Sequence, residues 1–225
     1  MRIVFSFLAI LFSMFLFYEV LTSFFLDTAE AASSSMQPGI ESGNNLIISK
    51  LPYGLMLPFT HVRLPDFDSP ERGDIVVLQS PFSKDPYIPV LYDLLDFFHI
   101  RRLGIDSPFQ HRRPWIIRRV IAVPGDRVYV NGSRAYVQLD GNGDYLEESL
   151  VQESTYSLTF PDETFNHPDS LNNYFTNSQS VPDEHVFLLP DNRKTAFGSP
   201  SWGPVHISAI RGKVIHLFGR KSAAE

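Results

Sequence analysis

The stretch Ser33-Ser34-Ser35-Met36-Gln37-Pro38-Gly39-Ile40 follows closely on the one long apolar segment of the chain. A serine run beside an apolar segment, followed by Met-x-Pro, is a place to expect a nucleophile. Taken alone, the stretch is more typical of a solvated linker beside a membrane anchor. The other motifs of the chain are therefore needed to interpret Ser35.

Composition excludes several classes of function. The 225 residues are enough for one sizeable domain or two small ones. A formal net charge of -6 argues against nucleic acid as a partner, because phosphate binding requires a basic surface. The chain has no cysteine, which excludes disulfides, thiolate metal sites and a cysteine nucleophile. We expect neither a metal site nor a cofactor.

The apolar segment covers residues 3–26 and is interrupted only by Glu19. A bilayer core requires roughly 20 helical residues, so the segment predicts one transmembrane helix within residues 1–26. Arg2 lies before the segment and Asp27 follows it. The positive-inside rule then places the N-terminus in the cytoplasm and the main domain on the outer, periplasmic face of the cytoplasmic membrane.

A cleaved signal peptide is the alternative, because Ala29-Glu30-Ala31 matches an A-x-A cleavage pattern. The apolar segment is long for a signal peptide, which favours the anchor. Either interpretation delivers the remaining chain to the outer face. We expect one main domain over residues 27–219, a probable inserted lobe at 140–182 within it, and a tail at 220–225.

The main domain is predicted to be mainly β. Asn131-Gly132 is a two-residue hairpin signal between two short strands. Residues 87–100 carry apolar side chains at helical spacing and predict a helix. Strands are predicted at 46–48, 75–78, 115–123, 127–130, 135–139, 185–189, 205–210 and 212–218, with a long loop at 191–202.

Four stretches resemble, in order, the motifs of bacterial signal peptidase I, the membrane-anchored serine endopeptidase that removes signal peptides. The first runs from Ser33-Ser34-Ser35-Met36-Gln37-Pro38 to Lys50-Leu51-Pro52-Tyr53-Gly54. The second is Arg72-Gly73-Asp74-Ile75-Val76-Val77. The third is Ile117-Arg118-Arg119-Val120-Ile121-Ala122-Val123-Pro124-Gly125-Asp126. The fourth is Asp191-Asn192-Arg193, continuing to Trp202-Gly203.

The resemblance implies a signal peptidase I-like β domain after one N-terminal transmembrane helix. It also implies that Ser35 is the nucleophile and that Ser33 donates to the oxyanion together with the Ser35 backbone N–H. Met36 and Pro38, from the same motif, are expected to contact the substrate. The implied partners are the signal peptides of exported preproteins and the lipid bilayer.

The chain departs from the family at the general base. The family has a lysine immediately before the Arg-Val pair of the third motif, and this chain has Arg118. A guanidinium binds an oxyanion or a carboxylate, but near neutral pH it cannot take the proton of Ser35. The residues that support the base in the fourth motif also differ, because Ala196, Gly198 and Pro200 stand in place of Ser, Asp and Arg.

Two interpretations remain open. The chain is an endopeptidase with a base recruited from elsewhere, or a pseudo-peptidase that binds signal peptides or assists the assembly of exported proteins. The candidates for a recruited base are lysines and histidines, among them Lys50, Lys84, Lys194, His61, His99, His111 and His185.

Overall fold

The computed structural model describes residues 2–54, 68–79, 115–152, 156–160, 177–194 and 198–219. The chain begins with helix α1, Arg2–Phe24. Its described apolar side chains, from Val4 to Phe17, are exposed. The helix predicted for the apolar segment is thus present. Over the described residues, no helix reaches the length and hydropathy that crossing a bilayer requires.

The described part of the main domain contains two antiparallel sheets. The larger has seven strands in the order β1-β2-β11-β3-β4-β9-β10, and the smaller has four in the order β7-β6-β5-β8. The strands are β1 (Leu26–Glu30), β2 (Asn45–Ser49), β3 (Ile75–Gln79), β4 (Trp115–Ala122), β5 (Arg127–Asn131), β6 (Arg134–Gln138), β7 (Leu146–Glu147), β8 (Gln179–Ser180), β9 (His185–Leu189), β10 (Val205–His206) and β11 (Ile210–Phe218). The mainly β prediction is confirmed.

Strand β1, Leu26–Glu30, lies where the sequence predicted no strand. It pairs antiparallel with β2, with Ala29 opposite Leu46, and forms one edge of the larger sheet. An edge strand is held mainly by main-chain hydrogen bonds, so it needs no apolar run, and polar residues are common there. The alternating-hydrophobicity criterion therefore missed it.

Other predictions differ from the structure at the C-terminal end. The strand predicted at 205–210 ends at His206, and a short 3₁₀ helix, Ile207–Ala209, separates it from β11. Strand β11 is continuous across Gly212, where an added Cβ would lie 2.5 Å from the Ser49 carbonyl oxygen. Within the predicted loop at 191–202, residues Ser199–Trp202 form a short helix, α3.

The hairpin prediction is confirmed by β5 and β6, where Gly132 has a φ of +59°. Such a left-handed conformation is what a two-residue hairpin turn requires, and glycine adopts it without strain. Tyr129 and Tyr136 stack as a cross-strand pair, with ring centroids 4.8 Å apart.

Three apolar clusters form the described core. One joins the two sheets and contains side chains of β4, β5, β6 and β9. Another lies against β2 and β3 and contains Met36, the residue after Ser35. Burial of Met36 in this cluster fixes the position of the serine stretch on the larger sheet.

The predicted inserted lobe is described only in part. Its β7, its β8 and the short helix α2 (Glu148–Val151) are visible, and the two strands form the edges of the smaller sheet. The helix predicted at 87–100 and the tail at 220–225 lie outside the described residues. The division into domains stays a prediction.

Candidate active site

Ser35 lies in a single 3₁₀ turn, Ser34–Met36, whose N-cap is Ser33. Ser33 is extended, and its Oγ accepts a hydrogen bond of 3.2 Å from the Ser35 backbone N–H. A serine is a favoured N-cap because its oxygen satisfies an N–H that the first turn leaves without a partner. The cap therefore holds both serine side chains on the same face of the turn.

Arg118 reaches this turn from strand β4. Its Nη1 donates to the Oγ of Ser35 over 3.0 Å and to the carbonyl oxygen of Ile117 over 2.6 Å. Arg118 is 4% exposed and Ser35 is 8% exposed. The structure thus brings together three predicted site residues: Ser33, Ser35 and Arg118.

The Oγ of Ser35 accepts two hydrogen bonds. Besides the Arg118 bond, it accepts one of 2.9 Å from the Ser33 hydroxyl. Donors aimed at Oγ stabilise negative charge on it, but neither of them removes its proton. The described contacts therefore supply donors to the Ser35 Oγ, while a general base is a separate requirement.

Burial lowers the pKa of Arg118 to about 10. Desolvation penalises the charged form of a cation, which is the cause of this shift. Even so, a group with this pKa keeps its proton at pH 7. Arg118 is therefore a donor to Ser35 under neutral conditions.

Asn192, from the fourth motif, holds the backbone of the serine turn. Its backbone N–H donates to the Ser35 carbonyl oxygen over 2.9 Å. Its side-chain Nδ2 donates to the Ser34 carbonyl oxygen over 3.1 Å. The sequence included Asn192 only as part of the fourth motif and assigned it no role. Its place in the loop that follows the predicted strand at 185–189 was the available signal.

A buried ion pair lies beside the site. Arg119 binds Asp191 through Nε and Nη2, at 2.8 Å and 2.6 Å, and its Nη1 donates to the Gly73 carbonyl oxygen. The ring of Tyr156 covers the guanidinium, with 3.9 Å from Cζ to the ring centroid. Because these bonds are bidentate and buried, they fix the start of the loop that carries Asn192.

A second buried pair attaches the lobe to the same loop. Arg193 Nη2 contacts both carboxylate oxygens of Glu148, at 2.7 Å and 2.6 Å. Thr159 forms an isolated parallel β-bridge with Asn192 in this loop. Its N–H donates to the Asp191 carbonyl oxygen, and its carbonyl oxygen accepts from the Arg193 N–H. Burial raises the pKa of Glu148, although the Arg193 charge opposes this. Sequence reasoning assigned no role to Glu148 or Thr159, since nothing local marks either.

Three positions of the fourth motif differ from the family, and at one of them, Gly198, the difference has a steric basis. A Cβ on Gly198 would lie 2.9 Å from the Leu188 carbonyl oxygen, so a larger residue does not fit without a shift. Pro200 occupies the first turn of α3, where its missing N–H costs nothing. Between them, the Ser199 hydroxyl accepts a buried hydrogen bond from the Leu188 N–H. Ala196 lies outside the described residues.

Among the residues that the structure describes, no candidate for a recruited base contacts the Oγ of Ser35. The Oγ contacts described for Ser35 are those with Ser33 and Arg118. Lys50 forms an ion pair with Asp27, and His185 Nδ1 contacts the Asp183 carbonyl oxygen. Lys194 is exposed in the loop after Arg193. Four further candidates lie outside the described residues, namely Lys84, His61, His99 and His111.

The two predicted substrate contacts lie in different surroundings. Met36 is 1% exposed and packs into the apolar core. Pro38 follows a cis peptide bond after Gln37. Their contact with a substrate stays a prediction. Over the described residues, no group of three His, Cys, Asp or Glu side chains is placed to hold a metal ion.

The fold and the site together describe a mainly β protein with a buried serine turn, in which Ser33 and Arg118 donate hydrogen bonds to Ser35. A family model described as signal peptidase, peptidase S26, matches residues 4–218. The chain belongs to this signal peptidase family.

Individual relatives agree with this assignment. Signal peptidase I of Pseudomonas aeruginosa is 27% identical over 195 residues, covering 81% of this chain and 57% of the relative. Signal peptidase I of Leptolyngbya laminosa is 27% identical over 186 residues, covering 83% and 65%. The chain thus spans about three fifths of the length of these two relatives.

Two further similarities extend the comparison. Thylakoidal processing peptidase 1, chloroplastic, of Arabidopsis thaliana is 27% identical, with 83% of this chain and 40% of the relative covered. The crystal structure of a signal peptidase I from Enterococcus faecalis V583 aligns with a TM-score of 0.35 and 20% identity, over 66% of this chain and 98% of that chain.

Proposed function

We propose that this chain binds the signal peptides of exported proteins and leaves them uncleaved at neutral pH. One observation carries the proposal: Arg118 Nη1 donates to the Oγ of Ser35 over 3.0 Å. A nucleophilic serine requires a neighbour that accepts its proton. The charged guanidinium beside it is a donor only.

The signal peptide as ligand is supported by the family to which the chain belongs. The serine turn and its supports, Asn192 and the Arg119–Asp191 pair, are intact around Ser35. These supports position the backbone of the serine turn and take no part in proton transfer. They therefore support peptide binding whether or not cleavage follows. We propose that the region of the signal peptide before the cleavage site binds there as an extended strand.

Hydrolysis through Ser35 is the second candidate function. It is favoured by the position of the Ser35 N–H and the Ser33 hydroxyl, the two expected oxyanion donors, which lie together at the serine turn. In this case Ser33 and Ser35 are catalytic residues, and a base outside the described contacts takes the proton.

We further propose that α1 anchors the chain in the cytoplasmic membrane with its N-terminus inside. The apolar sequence of residues 3–26 and the exposure of the described apolar side chains of α1 support an anchor. An alkaline phosphatase fused after residue 60 tests this topology in bacteria. Activity of the fusion is expected, and an inactive fusion of normal abundance would contradict the assignment.

Binding and cleavage are tested together with the full chain in detergent micelles. It is incubated at pH 7 with a precursor protein that carries its signal peptide, and separately with the same protein lacking it. We expect binding that depends on the signal peptide, with the precursor recovered intact. Equal binding of both proteins would refute signal-peptide recognition, and cleavage lost in Ser35→Ala would establish the second candidate instead.

A further inference from the structure

We infer that two copies of this chain associate through the C-terminal half of strand β11, residues 215–218, here termed the free edge. The two free edges pair as antiparallel strands about a two-fold axis at Leu217. This association goes beyond peptide binding and does not depend on it. No covalent bond is made or broken.

Strand β11 lies between β2 and β3 in the larger sheet, but these two neighbours cover different lengths of it. Its pairing with β2 extends to Phe218, whereas its pairing with β3 ends where Lys213 lies opposite Val76. Among the strands that the structure describes, none pairs with the free edge on the β3 side. A strand edge without a neighbour presents main-chain N–H and C=O groups that can bind another strand.

The course of the chain before β3 explains why β3 does not continue along the free edge. The Gly73 N–H donates to the Val120 carbonyl oxygen over 2.8 Å, and the Asp74 carbonyl oxygen accepts from the Val120 N–H over 2.8 Å. Both bonds direct this turn toward β4 and away from β11. The Asp74 carboxylate also contacts Lys213 Nζ at 2.6 Å, where the pairing of β3 with β11 ends. The separation of the two strands beyond Lys213 is therefore built into the fold.

The side chains of the free edge are mostly apolar and accessible. Ile215 is 52% exposed, Leu217 is 39% exposed and Phe218 is 46% exposed. The ring of His216 stacks on that of Phe218, with centroids 6.3 Å apart. An exposed apolar edge of this kind is a site at which a sheet adds another strand.

The strands at the ends of the two described sheets are protected against such pairing, but the free edge is not. Strand β1 carries the acidic residues Asp27 and Glu30, and β7, β8 and β10 have two residues each. Charge and shortness are the usual means by which edges avoid pairing with other chains. The free edge has no Asp, Glu, Lys or Arg, so two identical copies meet there without repulsion between such charges.

A second copy of the free edge is the partner that fits these properties. A two-fold contact uses the same surface on both copies, and two antiparallel strands meet in this way. The regular run of β11 is His216–Phe218, because the bulge in its pairing with β2 lies between Val214 and His216. An axis centred on this run places Leu217 opposite Leu217 of the second copy, and His216 opposite Phe218 of the second copy. Opposed apolar and aromatic pairs of this kind stabilise strand pairing.

Sedimentation of the full chain in detergent micelles at pH 7, over a range of protein concentrations, measures the association. We expect a dimer whose dissociation constant rises about tenfold or more in Leu217→Lys, because the substitution occurs twice and places two like charges opposite each other at the axis. Leu150→Lys is the matched control, since Leu150 is 73% exposed on α2, away from the free edge. It should leave the dissociation constant unchanged.

Cross-linking tests the position of the axis without adding a charge. The chain has no cysteine, so Leu217→Cys introduces a single thiol. Opposite residues of paired antiparallel strands have Cα atoms about 4.5–5.5 Å apart, which a disulfide can bridge. Mild oxidation of Leu217→Cys should therefore give a covalent dimer. Ser149→Cys, which changes an exposed residue of α2, should remain monomeric on a reducing-agent-free gel.

Two results would overturn the inference. A parent chain that stays monomeric at every concentration would leave the free edge to a different strand or to the bilayer. A dimer that persists in Leu217→Lys and gives no cross-link in Leu217→Cys would place the contact elsewhere, for example along α1. If Leu217→Lys does not fold, the cross-linking comparison still decides the matter. Neither result bears on signal-peptide binding, which is measured separately.

Discussion

Arg118 and Ser35 come from different parts of the chain, yet Nη1 of one lies 3.0 Å from Oγ of the other, and both are buried. The contact joins β4 to the serine turn at the place where the family has its lysine base. A lysine in its neutral form accepts a proton there, but a charged arginine only donates hydrogen bonds and accepts none. In the proposed function, this exchange leaves Ser35 beside a hydrogen-bond donor where a nucleophilic serine requires a proton acceptor.

Residual cleavage, if measured, should rise with pH. The proton-free fraction of a group with a pKa of about 10 grows tenfold per pH unit between pH 7 and 9. Cleavage rates of a signal-peptide-bearing precursor should follow this slope and level off near pH 10. Ser35→Ala supplies the background rate. A plateau already near pH 7 would instead indicate a base of ordinary pKa, such as a histidine.

Arg118→Met should stabilise the fold at neutral pH. The folded-state pKa of Arg118 is lowered, so its charged form costs stability at every pH below about 10, and this cost disappears only as pH rises above that value. Replacing a buried charge by an apolar side chain often gains about 1–3 kcal/mol. Urea unfolding at pH 7 measures the change in the free energy of unfolding.

Arg119→Met is the matched control for that measurement. Arg119 is buried next to Arg118 in sequence, but it binds Asp191 through two hydrogen bonds. Its removal leaves a buried carboxylate without its partner and should cost about 3–5 kcal/mol. If both variants lose stability equally, the assignment of Arg118 as a costly buried charge is wrong.

Glu148→Ala should destabilise the protein far more than Glu147→Ala. The two residues are adjacent, and each forms an ion pair, but the Glu148–Arg193 pair is buried, whereas the side chains of Arg134 and Glu147 are 54% and 30% exposed. Breaking the buried pair should cost about 3–5 kcal/mol, and breaking the exposed one about 0–1 kcal/mol. Thermal and urea unfolding at pH 7 compare the two. Similar losses of stability in the two variants would mean that the Glu148–Arg193 pair does not hold the lobe against the loop that carries Asn192.

Restoring the family residue at Gly198 should fail for a steric reason. A Cβ there would lie 2.9 Å from the Leu188 carbonyl oxygen. Gly198→Asp and Gly198→Ala should therefore both lose about 1–3 kcal/mol of stability, the range for overpacking a tight site. The alanine variant separates the effect of the Cβ from that of the charge. Full stability of Gly198→Ala would show that the backbone accommodates a side chain.

The sequence predicted the parts of the fold that have local signals. The Asn131-Gly132 turn and the apolar β-branched run around Val120 are such signals, and both the hairpin and β4 are present. The edge strand β1 was missed because its pairing is made by the backbone. The close approach at Gly212 was missed because it depends on Ser49, a residue distant in the chain.

The residues of the candidate site also fall into two groups: those that a local motif marks, and those whose role depends on long-range contacts. Ser33, Ser35 and Arg118 could be found by motif, and the structure places Ser33 and Arg118 each within hydrogen-bond distance of Ser35. The support of the serine turn by Asn192 and the clamp by Glu148 depend on long-range contacts, which leave no local pattern. The orientation of the Arg118 hydrogen bond likewise required the geometry of the folded chain.

The central claim is that Arg118 keeps Ser35 inactive at neutral pH, and precursor cleavage at pH 7 tests it most directly. Four chains are compared: the parent, Ser35→Ala, Arg118→Gln, and Arg118→Lys combined with Ala196→Ser. We expect the first three to show only background cleavage and the lysine variant to gain Ser35-dependent cleavage, because only lysine can lose its proton and act as a base. Rapid cleavage by the parent chain at pH 7, abolished in Ser35→Ala, would contradict the account.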